Sequence, residues 1–196
     1  PVFGFGVDHN YNNFLTHPKM KSALENSVGQ SGQKLEWIGF DACLMSSLEV
    51  ADVFSDYSNY LISSQETEPG WGWNYSFLSS LSEPDMDGAR LGQKIIDAYM
   101  DFSEAVFEEY PKFYSDLTQS CMDLNKYQTA EDQLNAFFEN INSNLDSYTN
   151  PEAVRKRDNV KDFGTYSSDF NYSLVDITNL LELLSADSDA SADETI

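Results

Sequence analysis

A strand, a helix and a second strand follow one another within about thirty residues, and this succession narrows the fold more than any other feature of the chain. Leu35-Glu36-Trp37-Ile38-Gly39-Phe40 reads as a buried strand. Ser46-Ser47-Leu48-Glu49-Val50-Ala51 opens a helix that runs to about Phe54, and Tyr60-Leu61-Ile62-Ser63-Ser64 is the next strand. Leu44, Leu48 and Ala51 fall at helical spacing. A crossover of this length brings the chain back parallel to its first strand, in a right-handed βαβ unit. Ligands of such sheets bind just past the carboxyl ends of the strands. The segment Phe40-Asp41-Ala42-Cys43-Leu44-Met45 stands there, with a thiol and a carboxylate two residues apart.

The rest of the chain continues the alternation. Val2 to Asp8 reads as a short glycine-containing strand, followed by a polar stretch from His9 to Asn13. Thr16 is placed to cap a short helix with Pro18 in its first turn and Met20, Ala23 and Leu24 facing inward. Gly29 to Gly32 ends that helix. Gln65 to Trp73 is a loop punctuated by Pro69-Gly70. Pro84-Asp85 opens a long helix with Leu91, Ile95, Ala98, Tyr99, Phe102 and Val106 on one face. Leu117 to Leu124 is the next strand, and a helix from Asn125 or Thr129 turns Leu134, Phe138, Ile141 and Leu145 inward. Asn150 to Arg157 reads as a surface crossing and Val175 to Leu184 as a last amphipathic helix. Residues 185–196 are acidic, lack an apolar anchor and read as a disordered tail or linker. Strands alternating with helices argue an α/β fold.

Charge narrows the partners. The 196 residues carry 33 Asp and Glu against 11 Lys and Arg, a formal charge of −22. Such a surface repels nucleic acid and anionic membranes and attracts cationic ligands. No stretch has the length of a transmembrane helix, and no signal peptide is visible. The chain opens on Pro1, which reads as a processed end or a truncation, so export stays open. Two cysteines, Cys43 and Cys121, do not make a disulfide framework.

The chemistry-bearing residues each admit two readings. Cys43 is either a small buried hydrophobe or a nucleophile whose thiolate is favoured by the helix that follows. Cys121 reads as core. Asp41 either caps that helix or forms the acidic wall of a pocket for a basic side chain. Glu66 and Glu68 add to that wall or are solvated loop residues. Trp71 and Trp73 rim the substrate or pack the loop down. A cysteine hydrolase needs a base, usually histidine, yet neither His9 nor His17 stands in a setting that marks it as one. His17, beside Pro18, is expected to be exposed. The two His and two Cys lack metal-ligand spacing. Asp8, Asn10, Asn12 and Asn13 are oxygen-rich without forming an EF-hand pattern.

These residues together resemble a known family. The run Phe40 to Met45, then Leu48-Glu49-Val50-Ala51, Tyr60-Leu61 and Glu66-Thr67-Glu68-Pro69-Gly70-Trp71-Gly72-Trp73, are similar to the clostripain-like cysteine peptidases (peptidase family C11, clan CD). Phe5-Gly6-Val7-Asp8 and Ser173-Leu174-Val175-Asp176 also fit. The resemblance covers most of the chain and is tightest over about residues 35 to 75. It implies a caspase-like three-layer sandwich, a mostly parallel sheet flanked by helices, with the N-terminal part missing. Residues 1–184 would be a partial peptidase domain bearing the cysteine. Cys43 would be the nucleophile of a bacterial, secreted or cell-surface endopeptidase that cleaves after Arg or Lys, with its N–H helping to bind the oxyanion. Asp41 would lie in the pocket for the basic side chain. Ser64, Gln65, Glu66 and Thr67 would form the other wall and pair with the substrate backbone. No cofactor is implied for the chemistry, although some members depend on calcium.

The chain departs from the family pattern in two ways. The family's catalytic histidine lies in a His-Gly motif, which is absent here and by spacing falls just before Pro1. The chain alone is therefore expected to be inactive, its base coming from an N-terminal light chain or segment. Trp71 stands where some basic-specific relatives carry an acid. The rival reading is a non-catalytic peptidase-like module that binds basic peptides.

Overall fold

The computed structural model describes residues 4–110, 117–144, 159–167 and 170–185. The chain divides into two units, Val2–Tyr127 and the part from Gln128 onward. In the first, β1 (Gly4–Asp8) and β2 (Asn13–Thr16) form an antiparallel pair, followed by α1 (His17–Glu25) and the single turn α2 (Val28–Ser31). Next come β3 (Leu35–Gly39), α3 (Leu48–Ser55) and β4 (Ser58–Ser63). A 3-10 helix (Tyr75–Ser82), the long α4 (Gly88–Glu109) and β5 (Ser120–Asp123) complete the unit.

The expected βαβ unit is present. β3 and β4 are parallel, with Trp37 opposite Tyr60, Ile38 opposite Leu61 and Gly39 opposite Ile62. β5 joins the other side of β4 antiparallel, pairing Leu61 with Met122 and Ile62 with Cys121, so this three-stranded sheet is mixed.

Side chains alternate across a strand, and here the alternation builds three layers. Ile38, Leu61 and Met122 pack toward Met20, Val50, Val53 and Phe54 of α1 and α3. Trp37, Ile62 and Cys121 pack toward Leu91, Ile95 and Tyr99 of α4, with Trp73 and Phe77. Gly92 lets α4 settle onto β5, since a Cβ there would collide with the Cys121 sulfur. Cys121 is thus core, as expected. Both cysteines are free.

α3 starts later than the helical spacing of Leu44 predicts. Its cap is Ser47, whose side chain accepts the Val50 N–H at 3.3 Å. Leu44 lies outside the helix in left-handed backbone, φ 61°. Asp87 caps α4 in the same way, accepting from the Arg90 N–H at 2.8 Å.

In the second unit, α5 (Tyr127–Ser143, starting one residue before the boundary) has no buried position, and Phe138, expected inward, is exposed. β6 (Asp162–Ser167) and β7 (Phe170–Val175) form an antiparallel hairpin that the sequence reading did not anticipate. Val175, expected to begin a helix, ends β7. α6 (Ile177–Ser185) follows, with Asp176 accepting the Asn179 N–H at 2.9 Å. Lys161 stands over the ring of the buried Phe163, 5.2 Å from its centroid. The expected surface crossing at 150–157, Leu145 and the tail beyond 185 lie outside the described residues.

Candidate active site

The loop after β3 carries the cysteine. Its path is held by main-chain bonds to the segment after β4. The Phe40 N–H donates to the Ile62 carbonyl at 3.0 Å, Leu44 N–H to Glu66 C=O at 3.1 Å, and Ser46 N–H to Ser64 C=O at 2.9 Å. Left-handed backbone at a non-glycine residue costs about 1–3 kcal/mol. Burial of the Leu44 and Met45 side chains holds the turn in place. The half-buried Cys43 sulfur rests on the main chain of Glu68. The Glu68 N–H donates to it at 3.2 Å, and the thiol faces the Glu68 carbonyl at 3.7 Å. The expected helix N-terminus is not beside this sulfur. α3 begins at Leu48, and the nearby donor is a loop amide.

Asp41 does not cap α3, a place taken by Ser47. Its carboxylate accepts the Trp73 N–H at 3.1 and 3.2 Å and the Tyr75 hydroxyl at 2.9 Å. Gly72 passes directly over it. Its φ is +67°, and a Cβ there would stand 2.8 Å from a carboxylate oxygen. Only glycine meets both conditions at no cost.

The stretch expected to form the other wall is tied down from within the chain. The buried Ser64 shares a hydrogen bond with Thr118 Oγ1 at 2.9 Å. That same oxygen accepts the N–H groups of Gln65 at 3.0 Å and Glu66 at 2.9 Å. The Thr67 N–H donates to Glu66 Oε1 at 2.7 Å. Substrate pairing at these amides would displace those bonds. Thr118 is a supporting residue the sequence reading missed, since nothing local marks a threonine that lies 54 positions from its partner.

Glu68 is the most perturbed acid of the site. Burial pushes its carboxyl up to about 8, and the neighbouring Asp41 carboxylate adds to this. The indole N–H of Trp73, donating to Oε1 at 3.3 Å, pulls the other way. Its Oε2 is buried with no hydrogen-bond partner, and so is the Tyr99 hydroxyl on α4. Burial raises the Tyr99 phenol, and the nearby acidic groups of Glu68, Asp41 and Cys43 add to this. Tyr99 was expected only as a core residue of its helix, and its spacing gives no sign that its hydroxyl is left without a partner.

Trp73 is buried in the core and Trp71 is half-buried. Trp71 donates to Ser103 at 3.5 Å and meets Phe107 edge-on at 5.5 Å. Both tryptophans therefore pack the loop down. His9 is exposed. His17 is not, contrary to expectation: its Nε2 is buried without a partner, and desolvation lowers its affinity for a proton against the pull of Glu49. Among the described residues neither histidine hydrogen-bonds to Cys43, and no group of three or more His, Cys, Asp or Glu is placed to hold a metal. Asp8 Oδ1 accepts the N–H groups of Asn10 and Tyr11, at 2.9 and 3.3 Å, closing its turn.

Comparison with known proteins places the whole arrangement. The clostripain-family model (Peptidase_C11) matches residues 3–195. A solved clostripain from Bacteroides thetaiotaomicron, in complex with the peptide inhibitor BTN-VLTK-AOMK, is 22% identical. The match covers 91% of this chain and 74% of that one, with a TM-score of 0.55. An inactive zymogen of a C11 protease from Parabacteroides distasonis is 19% identical, over 95% of this chain and 50% of that one, with a TM-score of 0.59. A secreted C11 cysteine protease from Bacteroides thetaiotaomicron is 21% identical, over 93% and 48%, with a TM-score of 0.53. The chain spans about half the length of the last two. These likenesses show the fold, the caspase-like α/β arrangement of such proteases. No curated protein matches the chain.

Proposed function

Because this chain belongs to the clostripain family of cysteine peptidases, we propose that it is the cysteine-bearing part of an endopeptidase that cleaves after Arg or Lys. One observation carries the reading: a partly exposed cysteine in the loop that leaves the carboxyl end of β3, with the Asp41 carboxylate held two residues away by Trp73 and Tyr75. The Cys43 sulfur attacks the scissile carbonyl carbon while its proton passes to a histidine supplied by a segment outside these residues. That histidine then protonates the leaving amine. Water hydrolyses the resulting thioester and restores the thiol. The N–H of Cys43 helps bind the oxyanion, and Asp41 receives the basic side chain through a charge-assisted pair.

The peptide inhibitor bound to the Bacteroides thetaiotaomicron clostripain ends in lysine as written, which is in keeping with a basic-residue pocket. The secreted relative supports an extracellular place of action. Among the described residues no helix is long and apolar enough to cross a membrane.

The test is hydrolysis of arginyl and lysyl amides by the protein carrying its upstream sequence. Cys43→Ala is expected to lower kcat/KM by at least about ten-thousandfold. Asp41→Asn is expected to cost basic substrates at least about a hundredfold and to spare a norleucyl one. Equal cleavage by the Cys43→Ala protein refutes the assignment.

A further inference from the structure

We propose that Glu68 is the second specificity carboxyl of this pocket, its Oε2 held open for the cationic side chain of the substrate. The inference rests on the basic-residue reading above and deepens it. Asp41 is largely engaged, with Trp73 and Tyr75 donating to its oxygens. Glu68 has one oxygen on the Trp73 indole and the other buried outside hydrogen-bond limits, with the Asp41 carboxylate beside it as the acceptor for a carboxyl proton. A buried polar oxygen without a partner costs about 1–3 kcal/mol, so a structure that retains one leaves unused binding capacity there.

A second, independent observation points to the same place. The Tyr99 hydroxyl, on a side chain with no solvent exposure, also lacks a partner, and the titratable groups around it are Glu68, Asp41 and Cys43. Two orphaned polar groups from different elements thus share one electrostatic neighbourhood with Asp41 and Cys43. An Arg guanidinium carries five N–H donors and a Lys ammonium three, enough to reach Glu68 as well as Asp41.

Without a bound cation Glu68 stays neutral near pH 7, because burial and the Asp41 charge both disfavour a second anion. The titratable groups facing it are Asp41 and Cys43 on the loop after β3, Tyr75 on the 3-10 helix and Tyr99 on α4. An incoming cation reverses the balance. The Glu68 carboxyl proton leaves to solvent, and the carboxylate pairs with the cation. Capture of a basic side chain is then coupled to release of one proton, while an uncharged isostere releases none.

The experiment is calorimetric titration of full-length Cys43→Ala protein with an arginyl peptide and its norleucyl analogue, each in two buffers of different ionisation enthalpy. About one proton is expected to leave per arginyl peptide bound near pH 7, with affinity rising about tenfold per pH unit until about pH 8. The norleucyl peptide should release no proton. Adding Glu68→Gln should abolish the release and flatten the pH profile. Arginyl binding without proton release, or a release that survives Glu68→Gln, overturns the role of Glu68 and leaves the basic-residue reading intact. Equal affinity for the two peptides, or binding of neither, overturns the basic-residue reading and this inference with it. The comparison of the two peptides on Cys43→Ala needs no change at position 68, so it decides even if the Glu68 variant fails to fold.

Discussion

At the scale of single residues, the informative groups are those whose surroundings conflict with their chemistry. Glu68 holds a proton to about pH 8 when folded, against a usual value of 4.5. Between those values the unfolded chain has lost this proton and the folded chain keeps it, so unfolding releases it and rising pH favours unfolding. The native protein should therefore lose stability relative to Glu68→Gln as pH rises from about 4.5 to 8, with no further loss above. The difference is on the order of 2 kcal/mol after allowance for the partial exposure of the group. Urea unfolding of both proteins at pH 5 and pH 8 measures it, and a constant difference between them would contradict the burial argument. Tyr99→Phe removes a buried hydroxyl that bonds to nothing. It should change stability by less than about 0.5 kcal/mol, whereas Leu91→Ala in the same helix should cost about 2–5 kcal/mol. The placement of Cys43 and Asp41 just past a strand was legible because it depends only on local sequence. The surroundings of the Tyr99 hydroxyl and the bonds of Thr118 were not legible, since each depends on what lies across space from it.

At the scale of elements, the strand–helix–strand core was legible from hydrophobic pattern alone. Leu35–Gly39 and Ser58–Ser63 pair as the crossover rule requires. The helix boundary was misread because Leu44, although apolar and well spaced, turns inward from left-handed backbone ahead of the cap. The β6–β7 hairpin was missed although Phe170-Asn171-Tyr172-Ser173-Leu174 alternates apolar and polar residues, because its partner Asp162-Phe163-Gly164-Thr165-Tyr166-Ser167 does so less cleanly and Val175 was read into the following helix. The support of the site is itself a prediction. Thr118→Val deletes the oxygen that receives two main-chain N–H groups. It should cost about 2 kcal/mol and slow modification of Cys43 by a thiol reagent that carries a basic side chain. Ser47→Ala should cost about 1 kcal/mol through α3 alone and leave that labelling rate unchanged. If both variants label alike, the segment from Ser64 to Thr67 does not organise the site.

At the scale of the whole molecule, the family resemblance carried more than composition could. Acidity argues against nucleic acid and anionic membranes as partners and gives no architecture. Packing of β3, β4 and β5 against helices on both faces follows from alternate residues pointing opposite ways, and a single inserted residue in β4 would exchange its Leu61 and Ile62 faces. The net charge of −22 opposes compaction, so added salt should raise the thermal midpoint by a few degrees, roughly 2–5 °C. A midpoint that does not move between low and moderate ionic strength would show that the acids are already compensated.

The sulfur leans on the backbone of Glu68 and leaves the side chain free of that duty. Support of the nucleophile and choice of substrate are then separable at one position. On the proposed role of Glu68, a change of side chain at residue 68 would alter which substrate side chains are accepted while the main-chain support of the sulfur stays where it is.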